Sequence, residues 1–102
     1  MGLLRDVARA AELPPGSARC VEIDGRKIAV FNVSGHLYAI DDTCTHRGGP
    51  LSEGDVEGHV VTCPWHGGQF DLETGSVRRP PPARPVATYR VVLEGDQVKV
   101  EV

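Results

Sequence analysis

The stretch from Cys44 to His66, CTHRGGPLSEGDVEGHVVTCPWH, constrains this chain more than any other. It opens on Cys44-Thr45-His46 and closes on Cys63-Pro64-Trp65-His66, so two short clusters each offer one thiolate and one imidazole. Bringing all four groups to one site requires two loops held face to face. The rest of the chain has to supply the scaffold that holds them.

The flanking sequence reads as β structure. Cys20 to Ile23, the pair Asp24-Gly25 and the run Arg26 to Val33 form a run–turn–run pattern, in which Asp-Gly tolerates the positive φ angles of a tight hairpin. Ser34-Gly35 predicts a second hairpin, leading into His36 to Ile40. Within the middle run, Ile28, Val30 and Asn32 alternate with Ala29, Phe31 and Val33, so this strand is expected to be largely apolar on both faces. Pairing resumes from Ala87 to Leu93, turns at Glu94-Gly95-Asp96 and ends in Gln97 to Val102, with Val98, Val100 and Val102 inward and Gln97, Lys99 and Glu101 outward. Short β runs at Val60 to Thr62 and Gln69 to Asp71 adjoin the ligand clusters. Residues 3 to 13 suit a strand or a short helix, and Leu13-Pro14-Pro15-Gly16 ends whichever forms. No internal repeat shows at periods of about 20 to 50 residues.

These readings predict an all-β fold, a single domain over residues 1–102. Antiparallel strands from both chain ends form a β-sandwich base, and residues from about 42 to 82, dense in glycine and proline, are inserted as a loop-rich lobe. A chain of 102 residues has room for one core, and domains this small often gain stability from a metal or crosslinks.

Charge and hydrophobicity narrow the function. Eleven basic residues are spread among 14 acidic ones, net −3, with no sustained basic stripe of the kind nucleic acid asks for. The N-terminal MGLLRDVARAAEL lacks the apolar core of a signal peptide, and no segment approaches the roughly 18 apolar residues of a membrane span. The expectation is a soluble cytoplasmic protein. Three cysteines in a reducing compartment argue against disulfides. Cys20, the one outside the clusters, alternates with Val21 and Ile23 and is expected to be a small core hydrophobe.

Two metals compete for the clusters. Structural zinc takes Cys₂His₂, but its usual spacing keeps the two cysteines in one arm and the two histidines in the other. Here both arms are mixed, C-x-H and C-x₂-H, with 16 residues between His46 and Cys63. One cysteine from each loop can then meet on one metal and the two histidines on another, as a [2Fe–2S] cluster with unlike ends needs.

CTHRGGPLSEG and CPWHGGQFDLETG resemble the two cluster-binding boxes of the Rieske family at the family's separation, and flanking text such as LYAIDDTC extends the likeness over nearly the whole chain. The resemblance implies the Rieske β architecture, one [2Fe–2S] cluster per chain and Cys44, His46, Cys63 and His66 as its ligands. With two neutral imidazoles in place of thiolates, the ligated cluster is formally neutral when oxidised and carries one negative charge when reduced. Rieske potentials accordingly run from roughly −150 to +300 mV, against about −400 mV for plant-type ferredoxins.

High-potential members carry an extra cysteine in each box, forming a disulfide, and a serine and a tyrosine that donate to sulfur. The corresponding places here are Gly49, Trp65, Gly68 and Phe70, which points to the low end of the range, as in ferredoxins that feed oxygenases. Gly68→Ser and Phe70→Tyr are each expected to raise the potential by restoring a donor. Pro80-Pro81-Pro82 resembles the family's proline loop that covers the cluster. Arg47, Arg78, Arg79 and Arg84 are candidates for a basic rim, and Asp41, Asp42, Glu53, Asp55 and Glu57 for steering a basic partner.

The implied function is one-electron carriage, without catalysis, from a flavin-containing ferredoxin reductase to a terminal oxygenase, by a chain expected to be a monomer. An oxygenase would also need a mononuclear iron site, and 102 residues leave no domain to house one. A small redox subunit of another oxidoreductase, such as nitrite reductase, is the alternative, and a structural zinc module a more distant one.

Overall fold

The central strand of the molecule is buried on both faces, and two cores form on either side of it. In a computed structural model that describes residues 2–65 and 67–102, this strand is Arg26–Val33 (β3), whose Ile28, Ala29, Val30 and Phe31 are all buried. Ile28 and Val30 join Leu13, Ile23, Val98 and Val100 in one core. Ala29 and Phe31 join Ile40, Leu51, Val61, Phe70 and both Cys44 and Cys63 in the other. The period of two in the sequence thus sorts adjacent residues of one strand into different cores.

β3 lies between Ala18–Ile23 (β2) and His36–Asp41 (β4) in a four-stranded sheet that ends in Thr88–Tyr89 (β9), in the order β2-β3-β4-β9. Both hairpins turn where expected. Asp24 and Gly25 have φ of 51° and 82°, Ser34 and Gly35 of 53° and 94°, so each turn places two consecutive residues in the left-handed region that suits right-twisted strands. Asn32 reinforces the second turn by accepting from the Gly35 amide at 2.8 Å, while its own amide donates to the Leu13 carbonyl at 2.8 Å.

A three-stranded sheet closes the base. Leu4–Arg9 (β1), Val91–Glu94 (β10) and Gln97–Glu101 (β11) pair antiparallel in the order β1-β11-β10, and Val98 and Val100 of β11 are buried. The undecided N-terminal segment therefore forms a strand, followed by one 3₁₀ turn at Ala10–Glu12. Leu13 then drops into the core at 2% exposure. The run from Ala87 to Leu93 is not continuous, contrary to expectation. Thr88 and Tyr89 pair with Ile40 and Ala39, the Arg90 carbonyl accepts from Glu101, and Val91 pairs with Val100, so the chain crosses between sheets at Arg90.

The third sheet sits on the other face of the central one: Asp55–Glu57 (β5), Val60–Thr62 (β6), Gln69–Asp71 (β7) and Val77–Arg79 (β8), antiparallel in sequence order. β6 and β7 were legible in the sequence; β5 and β8 were not. Cys20 corrects another expectation. It lies on β2, the edge strand of the central sheet, and is exposed; among the described residues no further strand pairs with that edge. What burial its thiol has, together with the Asp42 carboxylate beside it, raises its pKa.

Candidate metal centre

Both ligand clusters sit in loops closed by the same backbone hydrogen bonds. In the first, the Cys44 amide donates to the Gly49 carbonyl at 2.9 Å and the Gly48 amide to the Cys44 carbonyl at 2.9 Å. In the second, the Cys63 amide donates to Gly68 at 2.7 Å and the Gly67 amide to Cys63 at 3.1 Å. Gly48 and Gly67 hold φ of 80° and 75°, a conformation that favours glycine. A signal for this was present in the sequence: Cys-x₃-Gly-Gly occurs at Cys44 and again 19 residues on at Cys63, a spacing just short of the periods of about 20 residues and more at which repeats are sought.

Asp42 clamps the first loop at its base. Its amide donates to the Lys27 carbonyl at 2.9 Å, its carbonyl accepts from Leu51 at 2.7 Å and its carboxylate accepts from the Ser52 amide at 2.7 Å. Both ends of the loop are thereby tied to β3. Asp42 is 5% exposed, and the Asp41 carboxylate accepts a 2.6 Å hydrogen bond from the Tyr89 hydroxyl. Asp42 is buried and Asp41 half-buried, so of the set offered for steering a partner the exposed ones are Glu53, Asp55 and Glu57. The four basic candidates Arg47, Arg78, Arg79 and Arg84 are all exposed, and Arg78 also donates to Asp71 at 3.0 Å.

The two loops meet through their cysteines. Cys44 and Cys63 are 4% and 3% exposed, unpaired by any disulfide, and packed in one core. Burial raises the Cys44 pKa; the backbone amides of His46 and Arg47, aimed at its sulfur, oppose the rise, and the neighbouring Cys63 sulfur adds to it. Gly49 of the first loop backs directly onto the second: a Cβ there would lie 2.7 Å from the Cys63 sulfur and 3.1 Å from the Trp65 ring. His46 is exposed beside the pair, and the expected ligand His66 lies outside the described residues. Among the described residues no three histidine, cysteine or carboxylate side chains converge on one point; the pair brought together is Cys44 with Cys63.

This donor set fits an iron–sulfur cluster. Two thiols held side by side away from water, with amide N–H groups directed at sulfur, are poised to lose their protons to a metal, and amide donors stabilise the thiolate and sulfide charge that results. Within the second loop Pro64 is exposed, and Trp65, 56% exposed, lays its ring close to Gly49 of the first.

Comparison with known proteins agrees. A profile of the Rieske [2Fe-2S] domain matches residues 4–90. The biphenyl dioxygenase ferredoxin subunit of Pseudomonas sp. (strain KKS102) is 45% identical over 91 residues, 88% of this chain and 84% of that protein. A solved complex of reduced oxygenase and oxidized ferredoxin in carbazole 1,9a-dioxygenase contains a chain that superposes with a TM-score of 0.91 at 35% identity, covering 99% of this chain and 94% of that one. A nitrite reductase small subunit from Mycobacterium tuberculosis superposes as well, TM-score 0.90, covering 100% of this chain and 96% of that one, but at 22% identity it shares only the fold. Fold and site together define an iron–sulfur electron-transfer protein. The chain belongs to the Rieske [2Fe-2S] family, with one cluster per chain, and it is a carrier of electrons with no catalysis of its own.

Proposed function

We propose that this chain is a single-domain ferredoxin with a low-potential cluster, ligated by Cys44, His46, Cys63 and His66, that takes electrons from a flavin-containing reductase and delivers them to a terminal oxygenase. The observation that carries the ligand reading is the pair of loops with one closure, each beginning on a buried free cysteine. When bound, the cluster accepts and releases one electron. The protein's part is to hold the two sulfurs dry, direct amides at them and keep the outer loop surface open to partners.

Identity favours an oxygenase system over a nitrite reductase: 45% to the biphenyl dioxygenase ferredoxin against 22% to the nitrite reductase subunit. Low potential is supported by Gly49, Trp65, Gly68 and Phe70, none of which can form the disulfide or donate as a serine or tyrosine does. Among the described residues no helix is long and apolar enough to cross a membrane. We place the carrier in the cytoplasm, as a monomer that can present its loops to two partners in turn.

The test has two parts. The purified protein should be reddish-brown and give a Rieske-type EPR signal on reduction, and Cys44→Ser should lose both. Adding the protein to a flavin reductase and an aromatic-ring oxygenase should then support substrate hydroxylation, which falls to background without it. A colourless protein containing zinc would refute the reading, as would full iron retention in Cys44→Ser.

A further inference from the structure

We infer that the proline segment at residues 80–85 is a strap fastened to both ligand loops at once, and that the Pro82 ring fills the space a hydroxyl donor at position 68 would need. The inference rests on the cluster assignment proposed above. It goes beyond that assignment by naming Thr45, Gly68 and Pro82 as the residues that position the loops.

The first fastening is polar. Thr45, between Cys44 and His46, donates its hydroxyl to the Arg84 carbonyl at 2.7 Å. The second is steric. Within the strap Pro82 is buried while Pro80, Pro81, Ala83, Arg84 and Pro85 are exposed. It is buried against Gly68: a Cβ added there would lie 2.7 Å from Pro82 Cγ, nearer still to Cδ, and 3.5 Å from the Arg79 carbonyl oxygen. Real Cβ atoms do not approach carbon so closely, and packed interiors relax only partly around added volume.

Gly68 is not a passive floor. Its carbonyl accepts the Cys63 amide that closes the second loop. A side chain at 68 must therefore lift the strap or break that closure. The strap thus couples the backbone beside Cys44 to the backbone that closes on Cys63, and the missing serine at 68 has a physical reason. Gly68→Ser is consequently not the simple donor insertion that sequence alone suggests. Its hydroxyl can reach sulfur without disturbing the loop only once the ring is gone.

The experiment uses the intact cluster-loaded protein and three variants, Gly68→Ser, Pro82→Ala and the double variant, since alanine lacks the Cγ and Cδ that obstruct. The readings are iron per chain, the rate of cluster loss to a chelator, the reduced EPR spectrum and the midpoint potential. Gly68→Ser alone should lose iron faster and shift the EPR g-values, and the double variant should recover wild-type iron retention with a raised potential. Thr45→Val, which keeps shape but removes one hydrogen bond, should speed cluster loss about two- to tenfold. Gly68→Ser behaving as the double variant does, or Thr45→Val losing iron at the wild-type rate, would overturn the inference. Should Gly68→Ser not fold, the double variant folding with its iron retained supports the steric half and its failing to fold overturns it, while Thr45→Val decides the polar half. A wild-type protein without a Rieske signal would instead defeat the ligand assignment, so the two failures are distinguishable.

Discussion

Asp71 shows what one residue can do in a lobe made of very short strands. Its carboxylate, 5% exposed, accepts from the Glu73 and Thr74 amides at 2.8 and 3.2 Å and from Arg78 at 3.0 Å, with His59 Nδ1 3.2 Å away. Burial pushes its pKa up, but the two amides and the charges of His59 and Arg78 outweigh that, and the net shift is downward. A carboxyl whose folded pKa is depressed contributes stability above its unfolded value of about 3.9, and that contribution disappears as pH falls through the lower folded value. Asp71→Asn should therefore cost about 1–3 kcal/mol at pH 7, a gap that urea melts should find closing below about pH 4; an equal gap at both pH values would contradict it. The meeting of Cys44 with Cys63 was legible because the mixed arms ask for one cysteine from each loop to come together. Asp42 and Asp71 were not, since a buried carboxylate looks like a surface one until its amide donors, such as Ser52 to Asp42, are placed. Cys20 misled because alternation tells which face a side chain takes, not whether anything covers that face at the edge of a sheet.

Elements were legible in proportion to how much of their geometry lies in their own residues. The β2–β3 and β3–β4 hairpins carry their turn chemistry in Asp24-Gly25 and Ser34-Gly35, and both form as expected. β5 and β8 have three residues each, with exposed side chains at Asp55, Glu57, Arg78 and Arg79, so the single valine in each sets no period and they exist through their pairing with β6 and β7. The crossing at Arg90 was hidden for a related reason: Thr88 to Leu93 has one uninterrupted β preference, and only tertiary pairing divides it. β3 offers a test of the two-core arrangement. Ile28→Ala and Phe31→Ala should each cost about 2–5 kcal/mol. Only Phe31→Ala, which opens the core containing Cys44 and Cys63, should also speed cluster loss to a chelator; equal loss from both variants would mean that the cores are not separate.

At the scale of the molecule, the three sheets stack with the central one between the base and the lobe, and the lobe's strands of three residues are too short to be stable on their own. Removing the iron should therefore loosen the lobe and spare the base. Hydrogen exchange on the apoprotein should show amides of β5 to β8 losing protection while those of β3, β4 and β11 keep it, and uniform loss would show a single cooperative unit. The stacking was only partly legible: the sequence marked an inserted region between two stretches of strand but not that its core shares β3 with the base. The two ends of the described chain also meet. The Leu3 amide donates to Val102 at 2.8 Å and the Val102 amide to Leu3 at 3.1 Å, on the sheet farthest from the ligand loops. An attachment made at either end, to an electrode, a resin or a fused reductase, would hold the molecule by its floor, leaving the loops turned outward and the tether clear of the route by which electrons enter and leave.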